Sequence, residues 1–301
     1  MGQQKIIPHL WFDSQAKAAA DFYVSVFGKD SAVKSETYYT DEGKEIHGKD
    51  AGSVMTVDFN LFGYQFVGLN GGPIFNFNPS ISFIVTCGTK EEVDKYWDEL
   101  SVGGQVLMPL DSYPFSEWYG WIQDKYGVSW QIILYENAQQ KIMPSLMFVN
   151  ENYGKAEEAM NYYTKTFPDS EVVSVFHYGE NDDQYKADAV MYADFKLFGE
   201  LLAAMDSGLK HDFSFNEAIS LMVVCESQEE IDSYWNKLTA YPKAEQCGWL
   251  KDQFGVSWQI VPSQLESIMK DQDEAKVQRV IKAFMQMKKL DIQKLQEAFD
   301  G

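Results

Sequence analysis

Short stretches in which apolar residues recur at every second position alternate with longer stretches in which they recur every three or four residues. The first pattern predicts β-strands and the second predicts amphipathic helices. Residues 5–12 predict a strand, after which Asp13 or Ser14 caps a helix that runs to Gly28, a residue type that commonly ends helices. Three more strands are predicted at roughly 33–40, 52–60 and 63–69. The predicted order of this part is therefore βαβββ.

The same order begins again after a loop rich in Gly, Pro and Asn at 70–80. A strand at 81–87 leads to a helix that opens with Thr89-x-x-Glu92, a capping box in which side chains satisfy free backbone N–H groups. The module is completed by strands near 105–109, 119–123 and 128–135.

The second half of the chain repeats the first, most visibly in the shared sequence GVSWQI. Four pairs of segments match in the same order, 128 to 140 residues apart: 124–134 with 252–262, 81–100 with 219–238, 57–66 with 192–201, and Phe22-Tyr23 with Tyr162-Tyr163. This indicates a tandem duplication. We predict a first domain at 1–137, a second at 138–263, and four βαβββ modules in all.

The two copies differ in an arm and in a tail. Copy one has a long arm at 102–123, which copy two shortens to 239–251, where a strand is expected to be missing. Copy two continues into a tail, 264–301, for which three helices are predicted: one opened by Ser263-x-x-Glu266, one at 275–290, and one capped by Asp291. Such amphipathic tails pack on their own domain or on a dimer partner.

Composition and charge limit which binding partners and which cellular compartment are expected. Of 301 residues, 45% are hydrophobic and 23% charged, which is ordinary for globular proteins. The formal net charge of −20 would repel nucleic-acid phosphates and anionic membranes, so we expect neither as a partner. The 3 cysteines do not suggest a disulfide framework. Without a long apolar run or a cleavage site near the start, the chain is predicted to be cytoplasmic.

Several of these segments together resemble the PhnB-like branch of the vicinal-oxygen-chelate superfamily, which includes glyoxalases, bleomycin-resistance proteins and dioxygenases. The likeness is carried by Pro-x-Leu-x-Phe at 8–12, by LNGGPIFNFNPSISF at 69–83, by both GVSWQI strands, and by MQMKKLDIQKLQEAFDG at 285–301. It implies an α+β fold with two tandem glyoxalase-like domains. Each would consist of two βαβββ modules forming a curled mixed sheet that makes a cup, followed by C-terminal helices.

Members of that family often carry the label 3-demethylubiquinone-9 3-methyltransferase, which the residues of this chain do not support. Methyl transfer from S-adenosylmethionine ordinarily uses a Gly-rich turn between a strand and a helix of a parallel sheet. No GxGxG occurs here, and the glycines fall in loops or between strands that look antiparallel.

Metal-dependent members of the superfamily place a His on the first strand and a Glu on the last strand. The resemblance maps these positions onto His9 and Gln131 in copy one and onto Ser145 and Gln259 in copy two. A neutral glutamine is a much poorer ligand than glutamate. We therefore predict no complete catalytic metal site, with His9 and Gln131 as weak candidates for a divalent metal. The structural alternative is a strand-edge histidine and two buried amides, all bonded by backbone.

The period of two extends the candidate site to neighbouring side chains. Trp11 shares a face with His9, and Ser129 shares one with Gln131. The predicted ligand-binding set is His9, Trp11, Phe75, Phe77, Trp121, Ser129, Gln131, Phe213, Phe215, Trp249 and Gln259. Aromatic residues at such positions more commonly fill a core, which is the alternative for the rings.

Three functions stay open on this sequence. The first is metal-free binding of a small molecule, which the glutamines and the aromatic residues favour. The second is a metal-dependent lyase, isomerase or dioxygenase around His9, and the third is a scaffold whose cups are packed shut. The expected partner is a small-molecule ligand, bound by a monomer with internal pseudo-two-fold symmetry or by a homodimer. If only one cup binds a ligand, we predict the one that contains His9.

Overall fold

The structure, a computed structural model, describes residues 4–180 and 185–301. Copy one contains β1 Ile6–Phe12, α1 Ala16–Phe27, β2 Ala32–Tyr38, α2 Lys44–His47, β3 Val54–Leu61, β4 Tyr64–Asn70, β5 Ile81–Cys87, α3 Lys90–Ser101, β6 Gln105–Tyr113, β7 Ser116–Gln123 and β8 Ser129–Leu134. Copy two contains β9 Ile142–Val149, α4 Ala156–Thr166, β10 Glu171–His177, β11 Val190–Leu197, β12 Glu200–Ser207, β13 Ile219–Cys225, α5 Gln228–Leu238, β14 Trp249–Lys251 and β15 Ser257–Pro262. The tail forms α6 Gln264–Met269, α7 Glu274–Met285 and α8 Ile292–Asp300, and short 3₁₀ helices lie at Asn150–Asn152 and Pro242–Ala244.

The strands form two mixed sheets, and each sheet takes one module from each copy. The seven-stranded sheet has the order β14-β15-β13-β1-β4-β3-β2, and the eight-stranded sheet has the order β10-β11-β12-β9-β5-β8-β7-β6. The predicted α+β class and repeated mixed sheets are confirmed. The expectation that each copy forms its own cup is wrong, because the first module pairs with the fourth and the second with the third.

Two equivalent antiparallel pairs join the copies at the centres of the sheets. Strand β1 pairs with β13, which sets His9 opposite Ser220. Strand β5 pairs with β9, which sets Ser82 opposite Ser145. These pairs carry the pseudo-two-fold symmetry of the molecule.

The main hydrophobic core joins the two modules of one copy. Tyr23 of α1 packs against Trp130 of β8 with ring centroids 5.2 Å apart, and in copy two Tyr163 of α4 packs against Trp258 of β15 at 5.3 Å. Both tryptophans are fully buried, and burying a ring of this size contributes several kcal/mol in each copy. Side-chain packing therefore joins the two modules of each copy, and strand pairing joins the two copies within each sheet.

Helix α1 begins later than the sequence predicts. Its N-cap is Gln15, whose side chain makes no capping bond, so neither Asp13 nor Ser14 is the cap. The backbone N–H of Ala16 instead donates to Oδ1 of Asn70 at the end of β4, over 2.8 Å. A cap supplied from a distant strand leaves no local pattern in the sequence.

The other predicted caps have mixed outcomes. Thr89, Ser227 and Asp291 each accept a bond from the first turn of their helix, as predicted. Ser263 does not, because its hydroxyl donates to Glu226 at 2.8 Å. Copy two has no counterpart of β6 within the described residues, in agreement with its shorter arm. Nor does the part of the chain that the structure describes contain a helix long and apolar enough to cross a bilayer.

Candidate ligand-binding cups

Each sheet has one face on the main core and one face turned away from it. In β1, Ile6 and Leu10 join the core, so the alternating residues Ile7, His9 and Trp11 lie on the opposite face. We call that face of the seven-stranded sheet the first cup. The second cup is the corresponding face of the eight-stranded sheet, which includes Ser145 of β9.

A row of polar residues crosses the first cup. Strand pairing places Asp58 beside Val67, Val67 beside His9, and His9 beside Ser220. Gln259 of β15 joins the row, because its Nε2 donates to the Ser220 hydroxyl at 2.9 Å. The row therefore combines residues of copy one with residues of copy two.

His9 is the least satisfied polar residue of this row. It is 6% exposed, and its Nδ1 atom has no hydrogen-bond partner among the described residues. Burial lowers the pKa of His9 to about 4, and the Asp58 carboxylate offsets only part of that effect. The imidazole is therefore neutral near pH 7 and can present a nitrogen to a bound molecule as donor or acceptor, depending on its tautomer.

Aromatic rings surround His9 on one side. Trp249 of β14 meets His9 edge-on with ring centroids 5.4 Å apart, and it meets Trp11 in the same way at 5.8 Å. Phe75, from the loop between the modules, packs against Trp11 at 5.1 Å. The Trp11 indole donates to the carbonyl of Gly72 at 2.9 Å, which fixes its orientation. The first cup thus combines a neutral imidazole with three apolar rings.

The second cup has an equivalent but better satisfied row. Gln131 donates from Nε2 to Ser82 at 2.8 Å, and its Oε1 accepts from the Tyr119 hydroxyl at 2.8 Å. Ser145 stands where the first cup has His9, and its buried Oγ has no partner among the described residues. The indole of Trp121 donates to Ser129 at 2.7 Å.

The second cup contains a partly buried tyrosine that the first cup lacks. Tyr192 of β11 donates its hydroxyl to Oδ1 of Asp194 at 2.6 Å, and Ser174 donates to Oδ2 at 3.2 Å. Strand pairing makes Asp194 the counterpart of Asp58 and Tyr192 the counterpart of Thr56. Burial and the neighbouring Asp194 carboxylate raise the pKa of Tyr192, so its hydroxyl stays protonated and donates.

The structure separates the predicted site residues into three groups. His9, Trp11, Phe75, Trp249 and Gln259 come together in the first cup, whereas Trp121, Ser129 and Gln131 lie in the second. The pairing of His9 with Gln131 is therefore wrong, because β1 and β8 belong to different sheets. Phe77 packs against Phe12 and Phe215 packs against Phe148, both in the main core, so these two rings are outside both cups. Phe213 lies beside His211, whose ring bonds to Ser207 of β12.

Sequence reasoning missed the residues that complete the rows. Ser82 and Ser220 occupy the same position of the repeated strands ISFIVTC and ISLMVVC. Asp58 and Asp194 occupy the same position of the repeated Asp-Phe-x-Leu-Phe-Gly. A polar residue that is repeated at the same register position in both copies is the feature that would have identified them.

The central positions of the two cups hold no anionic side chain. The four positions at the centre of the first cup, two on first strands and two on last strands, hold His9, Leu69, Ser220 and Gln259. The corresponding positions of the second cup hold Ser82, Gln131, Ser145 and Met205. Neither set includes a carboxylate or thiolate, the anionic ligands that usually complete such a site. Across residues 4–180 and 185–301, no group of three or more His, Cys, Asp or Glu side chains is positioned to hold an ion.

Comparison with known proteins gives the same family for both copies. A family model described as 3-demethylubiquinone-9 3-methyltransferase matches residues 4–133 and again residues 140–261. A PhnB protein of known structure from Bacillus cereus is 40% identical over 44% of this chain and 100% of its own, with a TM-score of 0.40. Glyoxalase I from Zea mays is 9% identical over 85% of this chain and 91% of its own, with a TM-score of 0.55, which is a likeness of fold. No curated protein matches the chain.

Proposed function

The chain belongs to the family described as 3-demethylubiquinone-9 3-methyltransferase, in the PhnB-like branch of the vicinal-oxygen-chelate superfamily, and we propose that it binds a small organic molecule without a catalytic metal. The proposed site is the first cup, with His9 as the polar contact and Trp11, Trp249 and Phe75 as apolar walls.

One observation carries this proposal: the Nδ1 atom of His9 is buried and unpartnered. A buried polar group without a bond costs roughly 1–3 kcal/mol, and folded proteins leave few such groups. A ligand that bonds to Nδ1 would recover that free energy. His9 therefore supports a site that is completed by a bound molecule.

The surroundings of His9 define the chemistry of the ligand. Edge-on rings at 5.1 to 5.8 Å offer apolar surface to a flat ring. A neutral imidazole favours a hydroxyl, carbonyl or ring nitrogen over a charged group, because the site is poorly hydrated. The ligand class that fits is a small aromatic molecule carrying one hydrogen-bonding group.

Two other activities fit the residues less well. A metal-dependent lyase, isomerase or dioxygenase would need anionic ligands that the central positions lack. Methyl transfer, which the family description names, would need a Gly-rich turn between a strand and a helix. Gly63 and Gly199 instead lie in tight turns between the antiparallel strands β3–β4 and β11–β12.

A scaffold with closed cups is the second candidate, and one observation favours it. In the second cup the hydroxyls of Tyr119 and Tyr192 bond to Gln131 and Asp194, so the polar groups of that cup are largely satisfied from within. If the first cup fails to bind any ligand, this structural role is the one that stands.

The test is a thermal-shift series on the full chain with flat polar rings. Phenol, catechol and indole are compared with toluene, in the wild type, in His9→Phe, and in His177→Gln, which alters a surface histidine paired with Glu157. We expect at least one polar ring to raise Tm by roughly 2 °C or more in the wild type and in His177→Gln, but not in His9→Phe. Toluene should give a smaller shift.

Two results would overturn the proposal. One is a shift of equal size in His9→Phe, or no shift with any polar ring. The other concerns the metal: natively purified protein holding stoichiometric zinc, nickel, iron or manganese, or a shift that disappears after dialysis against EDTA, contradicts metal-free binding.

A further inference from the structure

The C-terminal residues 264–301, which we call the strap, reach across the first cup, and residues 289–292 also bond to α5 of the second copy. Three features of the described residues locate the strap: an apolar contact, an ion pair and a set of backbone bonds. They involve different sides of the cup.

The apolar contact lies at one end of the cup face. Val261 of β15 forms a buried cluster with Ile268, Val280, Leu290 and Leu295 of the strap. Met222 and Val224, the cup-facing residues of β13, pack against the same cluster. This cluster is separate from the main core, against which the strap packs only through the partly buried Ile292 among the described residues.

The ion pair reaches the opposite side of the cup. Lys270, at the end of α6, places its Nζ 2.9 Å from Oδ2 of Asp58 on β3. Asp58 belongs to the same cross-strand row as His9, separated from it by Val67 on β4. The strap thus reaches from β15 at one side of the sheet to the row that contains His9.

The backbone bonds place the end of α7 against β14. The N–H groups of Cys247 and Gly248 donate to the carbonyls of Met287 and Lys288 at 2.8 and 2.7 Å. On the other side, the Met285 side chain lies so close to Gly43, in the connection between β2 and β3, that a Cβ atom there would overlap it. Residues 285–288 therefore bridge the two sides of the cup.

The second cup serves as an internal comparison. Its Asp194 accepts from Tyr192 of the same sheet, at the position where Asp58 accepts from Lys270. In the first cup the counterpart of Tyr192 is the smaller Thr56. The partner of this aspartate is therefore a side chain of the same sheet in the second cup and a side chain of the strap in the first.

We propose that the strap is a removable cover of the first cup and that its release gives solvent and ligand access to His9. The biological purpose of this cover rests on the proposed function, but the opening of the strap does not depend on a ligand. Local opening of a segment with few buried contacts takes place while the main core stays folded.

Carbethoxylation of His9 by diethylpyrocarbonate, followed by peptide mass spectrometry on the full chain, tests the proposal without any ligand. The reagent attacks neutral imidazole, and the lowered pKa of His9 keeps it neutral at pH 7, so the rate reports access. The main variant is Leu290→Ala, which weakens the strap cluster, and the matched control is Leu100→Ala in α3. Both leucines are fully buried, but Leu100 belongs to the main core.

We expect His9 in the wild type to react much more slowly than the surface residue His177. Leu290→Ala should raise the His9 rate at least about tenfold, because loss of buried methyl groups shifts the opening equilibrium of the strap. Leu100→Ala should leave the rate within about twofold. Charge reversal in Lys270→Glu, which sets two carboxylates together, should also raise it.

The proposal is wrong if His9 and His177 react equally in the wild type, if Leu290→Ala leaves the His9 rate unchanged, or if the two leucine variants raise it equally. Hydrogen exchange in residues 264–301 verifies that Leu290→Ala has loosened the strap. If aromatic rings bind but the strap does not protect His9 from the reagent, only the strap proposal is wrong. If the strap protects His9 but no ring binds, only the proposed function is wrong.

Discussion

At the scale of single residues, His9 and Ser145 occupy equivalent places in the two cups and share one property. Each keeps a buried polar atom without a partner at the antiparallel pair that joins the copies. Of these two residues only His9 can titrate near neutral pH, so its burial makes a pH-dependent contribution to stability that Ser145 does not. This difference gives the residue a measurable consequence that does not require a ligand.

We predict that His9 makes the protein less stable in mild acid. The pKa of His9 is about 4 in the folded chain and near 6.5 when unfolded. Between these values the unfolded chain binds more protons than the native one, so the free energy of unfolding contributed by this group falls as pH drops from 6.5 towards 4. Between pH 7 and pH 4.5, the free energy of unfolding measured in urea should fall by about 2–3 kcal/mol more in the wild type than in His9→Gln.

The control for this prediction is His177→Gln, whose imidazole is half-exposed and paired with Glu157. It should keep the acid sensitivity of the wild type. If His9→Gln loses as much stability between pH 7 and 4.5 as the wild type does, the imidazole is not buried in the way the structure shows.

Part of the candidate site could be predicted from these residues and part could not. Alternation along the strands predicted inward positions for His9, Gln131 and Gln259, because a strand repeats every two residues. The bond between Lys270 and Asp58 joins residues 212 positions apart, and no local pattern carries such a contact. The first cup combines residues of both copies, and no local sequence pattern could predict that combination either.

At the scale of secondary-structure elements, the repeated segment Asp-x-x-Gly-Val-Ser-Trp explains how the last strand of each copy is held. Oδ1 of Asp252 accepts from the N–H groups of Phe254 and Val256, and Oδ2 accepts from the Tyr163 hydroxyl and the Trp258 indole. One carboxylate thus fixes the turn before β15 and ties it to α4. The repeat was visible in the sequence, but this role was not.

Asp252→Ala should lower the free energy of unfolding by about 3 kcal/mol or more, because four buried donors lose their acceptor. Urea or thermal unfolding measures the loss. Asp212→Ala, at an exposed position, should stay within about 0.5 kcal/mol of the wild type. A loss of that small size for Asp252→Ala would mean that water replaces the carboxylate, contrary to its complete burial.

Arg279, the only arginine of the sequence, ties α7 to the end of α8. Its Nε and Nη2 donate to the carbonyls of Ala298 and Phe299 at 2.9 and 2.7 Å, which satisfies free carbonyls at a helix C-terminus. Arg279→Lys keeps the positive charge but loses the planar guanidinium that donates to both carbonyls at once. In Arg279→Lys we expect the backbone amides of residues 292–300 to exchange several-fold faster than in the wild type, as measured by hydrogen exchange with mass spectrometry. The control variant Lys282→Ala, on the same helix, should leave this exchange unchanged. Equal exchange in wild type and Arg279→Lys would contradict this role.

At the scale of the whole molecule, the sequence predicted the duplication and the module order but not which modules share a sheet. Strands β1, β5, β9 and β13 are all predominantly apolar, and each is compatible with either partner. The choice depends on the burial of β1 against β13 and of β5 against β9, which is a property of the assembled chain. Periodicity describes the faces of a strand and carries no information about its neighbours.

This arrangement predicts that residues 1–137 alone form a homodimer. The fragment keeps the core around Tyr23 and Trp130, but β1 and β5, which are central in the full chain, become open apolar edges. Open edges of this kind pair with another chain. Because β13 is the counterpart of β5 and β9 is the counterpart of β1, two fragments can pair β1 with β5 twice and rebuild both sheets.

Light scattering after size exclusion should give twice the fragment mass. The variant Ser82→Lys places a charge at the buried junction and should prevent pairing. A folded monomeric fragment would show instead that one copy closes its own sheet.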